Sequence, residues 1–232
     1  LRTADAPSSG FFTPPYGAPE QASLGSSQHT DRFSLAVLAF SVLVAGNPFY
    51  GTLLDSLPPE DYQRRPYSSV GCWIDDPEDD SNRWTAVMPR ALVVSPRMTG
   101  LFRRTFCVGR TEPDSRPAAS LFASAARSAR LAAWRCRSCG WDNFVAVASC
   151  ADCGGTSPAQ GFALHELTPS GLAPFSWCPF LAIDSGGQVA VPAGALGLPG
   201  ETQEPAPVIR AAGTGYEVEI VHPEVTFVGR AR

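Results

Sequence analysis

Two cysteine pairs, Cys136-Arg137-Ser138-Cys139 and Cys150-Ala151-Asp152-Cys153, carry the most definite chemistry in this chain. Two Cys-x-x-Cys knuckles separated by ten residues can bring four thiolates to the corners of a tetrahedron, the arrangement zinc prefers. Four thiolates leave no open coordination position, so a zinc ion held here is structural rather than catalytic. The rival readings are two small disulfides or a redox pair. A redox Cys-x-x-Cys normally opens a helix in a thioredoxin-like unit, and no such pattern flanks either pair. Of the other cysteines, Cys107 falls on the apolar side of a predicted helix and reads as a core thiol. His165 and Cys178 would make a second metal site only with further ligands, and the sequence identifies none.

The elements that must position these groups follow from composition and pattern. At 232 residues, 44% hydrophobic and 17% charged, the chain has the make-up of one or two globular domains. With 22 prolines and 21 glycines, loops are abundant. A net charge of −4 argues against a general nucleic-acid binder, which needs clustered basic residues. The arginines at 103–104 and from Arg127 to Arg137 read as solvated helix faces. The longest apolar run, Phe33 to Gly46, is too short to span a bilayer and lies too deep for a signal peptide. No membrane segment is visible, the seven cysteines do not form a secreted disulfide framework, and a cytoplasmic location is expected.

The run from Asp31 to about Ala45 is apolar on all sides, which predicts a buried central helix ended by Gly46. Asp75-Asp76-Pro77-Glu78-Asp79-Asp80 is an acidic turn without the liganding period or closing Glu of a calcium loop. Ser95-Pro96 predicts an N-cap and first helical residue, with a helix to Cys107 presenting Met98, Leu101, Phe102 and Phe106 on one face. A second helix follows Pro117, with Leu121, Phe122, Ala125 and Leu131 facing the core. Residues 157–172 read as a linker. Beyond them, Phe180–Ile183 and Val189–Val191 flank Asp184-Ser185-Gly186-Gly187 as a hairpin signal; further strands are expected at Val208–Ile209, Tyr216–Val221 and Val225–Val228. The predicted fold class is therefore α+β, with a mainly helical part at 1–132, a four-cysteine zinc finger at 133–156, the linker, and a small β unit at 173–232.

Four short segments occur in one order: Thr13-Pro14-Pro15-Tyr16-Gly17-Ala18-Pro19-Glu20, then Asp31-Arg32-Phe33-Ser34-Leu35-Ala36, then Asn47-Pro48-Phe49-Tyr50-Gly51, then Glu112-Pro113-Asp114-Ser115-Arg116-Pro117. The series resembles the back half of the large lobe of a Ser/Thr protein kinase, in which Ala-Pro-Glu is a signature. The resemblance covers roughly the first 130 residues. It implies that Thr13 and Tyr16 lie on the side where a protein substrate is seated. It also implies that Glu20 pairs with Arg116, and that Asp31 braces the catalytic loop from the start of the central helix.

Phosphoryl transfer also needs a Gly-rich loop, a strand Lys, a catalytic Asp and an Asp on magnesium. No His-Arg-Asp or Asp-Phe-Gly occurs, and there is no lysine anywhere in the chain. The expectation is a C-terminal piece of a longer protein kinase-like protein, with ATP and Mg2+ bound only by the longer parent. A pseudokinase scaffold is the second reading.

Trp134, Asn143 and the four cysteines resemble a Ran-binding-protein type zinc finger across 20 residues. Members of that family bind single-stranded RNA or ubiquitin. The paired Arg of the RNA binders is replaced here by Ala146 and Val147, and the Thr-Phe of the ubiquitin binders by Gly140-Trp141. Neither specificity carries over, so RNA is not favoured over a protein partner. Trp141 and Phe144 either stack on a partner or cover a small core.

Overall fold

Helix caps and ring packing organise the first half of the molecule. The computed structural model describes residues 12–84, 90–144, 147, 149–156, 159–163, 165–174, 180–184, 188–190, 208–212 and 215–219. The chain divides into two units, Leu1–Phe122 and Ala123–Arg232. That division falls ten residues before the boundary expected from the sequence. The α+β class holds, with helices first and short antiparallel strands after.

The first unit runs α1 (Gln21–Leu24), α2 (Gln28–Val44), α3 (Thr52–Asp55), α4 (Pro59–Tyr62), α5 (Pro96–Arg103) and α6 (Gly109–Thr111). The long helix α2 starts earlier than the apolar run indicates. Ser27 accepts from the Thr30 amide, and Thr30 Oγ1 accepts from the Ser27 amide at 2.8 Å, a reciprocal capping box. Its end also differs: Ala45, not Gly46, takes the left-handed conformation, at φ 55°. Ser95 caps α5 and Pro96 opens it, as expected. The helix then widens into a π-turn over Arg104–Val108 instead of running straight to Cys107.

Phe33, Phe40, Phe49, Phe102 and Phe106 are fully buried and form the core with Trp73. Phe106 touches all of them, with ring centroids 5.2 Å from Phe49 and 5.8 Å from Trp73. Only one face of α2 is buried, through Phe33, Ala36, Val37 and Phe40. The other carries Leu35, Leu38 and Val42 on the surface, which corrects the reading of a helix buried all round.

Asn82 holds the loops of this unit together. It is completely buried, donates to the Phe49 and Cys72 carbonyls, and accepts from the Leu53 amide. A Cβ at Gly51 would run into the Asn82 carbonyl oxygen, so glycine there is required by close approach.

Helix α7 (Ala119–Leu131) begins in the first unit and ends in the second. After it come β1 (Ala133–Arg135) and β2 (Asp142–Phe144), paired antiparallel with Trp134 opposite Asn143. Residues expected to be a linker instead form β3 (Ala159–Ala163), β4 (His165–Thr168) and β5 (Gly171–Pro174). β4 and β5 make a tight hairpin, nested in sequence between β3 and its partner β6 (Phe180–Asp184). The last sheet is β7 (Gln188–Ala190), β8 (Val208–Ala212) and β9 (Gly215–Glu219), in that order. The strands at Phe180 and Val189 thus exist but do not pair with each other, which corrects the hairpin expected around Asp184–Gly187. The strand expected at Val225–Val228, and Cys178, lie outside the described residues. Among the described residues no helix is long and apolar enough to cross a membrane.

Candidate functional site

The two cysteine knuckles are built alike. In the first, the Gly140 amide donates to the Cys136 carbonyl at 2.9 Å; in the second, the Gly154 amide donates to the Cys150 carbonyl at 2.9 Å. Each turn closes on a glycine one residue past its second cysteine, at φ 78° for Gly140 and 73° for Gly154. A side chain resists that left-handed backbone, which explains why Cys-x-x-Cys is followed by Gly both times.

These turns aim four sulfurs at one point. The Sγ atoms of Cys136, Cys139, Cys150 and Cys153 all lie within 4.8 Å of one another. Cys136 and Cys153 are 3.6 Å apart, and Cys139 and Cys150 3.5 Å. Four thiolates at about 2.3 Å from one zinc ion stand about 3.8 Å apart, so the set fits a tetrahedral ion. The separations are too long for disulfides, which need about 2.0 Å. The four cysteines can therefore hold a metal ion.

The surroundings favour thiolate at two of the four sulfurs and oppose it at the other two. Against the Trp141 amide, burial and the neighbouring sulfurs push Cys139 up; against the Gly155 amide, the Cys136 sulfur and burial push Cys153 up. Backbone amides of Cys139 and Ser138 lower the Cys136 pKa. Burial opposes charge on Cys150, but the amides of Cys153 and Asp152 and the Asn143 side chain bring its pKa down to about 6. Asn143 is a buried latch: its Nδ2 donates to the Trp141 carbonyl and to Cys150 Sγ, and its Oδ1 accepts from the Ala151 amide at 2.9 Å. Trp134 is buried and donates from Nε1 to the Phe144 carbonyl. Trp141 is 42% exposed and Phe144 half-buried. Phe144 lines a groove of about 510 Å3 with Arg130, Trp134, Arg135 and Asp142, and Trp141 does not.

The other sequence-predicted residues sit in the first unit. Arg116 and Glu20, 96 residues apart, meet in a bidentate pair, with Nη1 2.7 Å from Oε1 and Nη2 2.8 Å from Oε2. The Arg116 side chain is wholly buried and Glu20 is 17% exposed. Two more Arg116 donors are used: Nε donates to the Gly109 carbonyl and Nη1 also to the His29 carbonyl. The guanidinium lies 4.8 Å from the centre of the Phe33 ring. A Cβ at Gly109 would press on Arg116 Cγ at 2.8 Å, so this glycine lets the arginine pass.

Asp31 is not drawn into this arrangement. It stands exposed on the first turn of α2, while the neighbouring residue Thr30 is buried. Thr13 is exposed, and its carbonyl accepts the Tyr16 and Gly17 amides in a 3-10 turn. Tyr16 is half-buried, and its carbonyl accepts from Ser34 on α2.

Cys72 and Cys107 belong to the first unit. Burial and then the Asp76 hydrogen bond push the Cys107 thiol up to about 12. The acidic turn is neutralised in part, with Asp75 on Arg90 and Glu78 on Arg103, each at 2.7 Å. Asn82, Asn143 as a latch, and Gly109 are the residues that pattern reading passed over or undervalued. No family model, curated protein or solved structure matches the chain.

Proposed function

We propose that this chain is the substrate-side part of a Ser/Thr protein kinase-like protein, followed by a structural zinc module. The observation that carries the reading is the Arg116–Glu20 pair, buried and bidentate at the two positions named by the resemblance. In this role the pair locks the segment after Thr13 and Tyr16 against the end of the helical unit. A protein substrate's hydroxyl-bearing segment is then presented on that side. The residues that bind ATP and Mg2+ in that family do not occur in this sequence, so the transfer step is assigned to a longer parent polypeptide. Cys136, Cys139, Cys150 and Cys153 hold Zn2+, which orders a finger that serves as an interaction module.

Capture of the native polypeptide from its source cell tests this, by intact mass and by transfer of labelled γ-phosphate to a pool of Ser/Thr peptides. The expected result is a species heavier than 24.6 kDa that transfers phosphate, with none transferred by this chain alone. A native species of 24.6 kDa that transfers nothing overturns it.

One observation favours a second reading. The chain contains no lysine, so the phosphate-binding ammonium of a kinase has no counterpart in it. On that reading the unit is a non-catalytic scaffold whose kinase-like lobe and finger dock other proteins.

A further inference from the structure

The rings of the first unit fall into two classes. Its core phenylalanines are buried, whereas Tyr50, Tyr62, Tyr67 and Trp84 are all half-exposed and touch one another in series. Centroids are 5.7 Å apart for Tyr50–Trp84, 6.3 Å for Tyr50–Tyr67 and 5.5 Å for Tyr62–Tyr67. Successive planes are inclined by 52°, 48° and 88°, so the cluster presents ring faces in several directions. Ring faces are electron-rich and attract cations. Tyr50 donates its hydroxyl to Asp55 Oδ1 at 3.2 Å, which adds electron density to that ring.

Charge points the same way. Residues 50–84 hold eight of the 22 carboxylates and three of the 18 arginines, so this stretch is five units negative while the whole chain is four. Two of those carboxylates, Asp75 and Glu78, are used by Arg90 and Arg103. Asp55, Glu60 and Asp61 are exposed beside the rings, on α3 and α4. Thr52 donates to the Ser81 carbonyl and so ties α3 to the acidic turn that leads into Trp84. Arg64, Arg65 and Arg83 are also exposed on this stretch, but with Asp75 and Glu78 already paired its six remaining carboxylates outnumber them two to one.

We propose that Trp84, Tyr50, Tyr67 and Tyr62 form a docking surface for a basic segment of a partner protein, whose arginine or lysine side chains lie over the rings while Asp55, Glu60 and Asp61 meet their charge. Aromatic rings with polar tips are the usual anchors of such interfaces, since they give large contact area at low entropy cost. The acidic rim speeds encounter and rejects acidic partners. The surface stands independently of the kinase reading.

The test uses a fluorescein-labelled, unstructured peptide of alternating arginine and glycine, titrated with the full chain and followed by anisotropy. A peptide with glutamate for arginine is the control. The arginine peptide should bind and the glutamate peptide should not. Tyr67→Leu and Trp84→Leu should each weaken binding by about fivefold to tenfold. Asp55→Asn and Glu60→Gln, which touch no core, should weaken it less and flatten its salt dependence. Trp141→Leu, an exposed ring in the other unit, should leave it unchanged. Binding that survives Tyr67→Leu and Trp84→Leu in folded protein, or no binding at low salt, overturns the proposal. So does self-association abolished by Trp84→Leu, which would give the surface to a second copy.

Discussion

The helical unit and the four-cysteine finger differ in what they bury. In the helical unit, Phe33, Phe40, Phe49, Phe102 and Phe106 interlock, and one buried arginine satisfies carboxylate and carbonyl partners around them. In the finger, the buried apolar cluster is Trp134 with Cys136 and Cys150. Fixing some two dozen residues costs about 1–2 kcal/mol each in backbone entropy, far more than one tryptophan recovers. With so small an apolar core, order in the finger is expected to come from a bound ion, whereas the helical unit draws its order from packing. A finger ordered in that way would be switchable, its fold depending on a ligand that can be withdrawn.

The contrast is broken most severely at the metal. Cys139→Ser should abolish stoichiometric metal binding and unfold the finger, because structural zinc supplies about 10–16 kcal/mol in comparable fingers. A metal-to-protein ratio near one in the parent and near zero in the variant checks this. In the helical unit, Phe106→Ala should destabilise by about 3–5 kcal/mol, since the ring contacts five others. Denaturant unfolding read by circular dichroism measures it. Glu20→Ala should cost roughly 3–5 kcal/mol, because Arg116 stays buried and charged. Unchanged unfolding would sink the account of the pair. The smallest effect has the opposite sign: Ala45→Gly should stabilise by about 1 kcal/mol, because glycine carries no penalty at φ 55°.

What could be read from the sequence was local or was carried by the resemblance. Cysteine spacing brought the four thiolates together because each knuckle is a short turn with its own glycine. Ser95-Pro96 marked a helix start because the cap and proline act within one turn. Glu20 and Arg116 are too distant for any local rule, and only the ordered kinase-like segments named them as partners. Other features depend on tertiary neighbours. The apolar run in α2 does not show which face lacks a partner: it predicts burial all round, yet Val42 is 82% exposed. Asn82 looks like any turn residue until the stretch at 49–53 and the loop at Cys72 converge on it. A Gly-rich turn between two apolar strands signals a hairpin, yet β6 found β3 and β7 found β8. The Gly, Ser and Pro of residues 157–172 concealed the nested β4–β5 hairpin, whose turn is what those residues build.

The most direct test of the account is amide hydrogen exchange, read by mass spectrometry on the zinc-loaded chain before and after chelation. Protection over residues 133–156 should vanish with the metal, while protection over Gln28–Val44 and Pro96–Val108 should persist. A finger that stays protected without metal would contradict the claim that an ion, rather than packing, orders it.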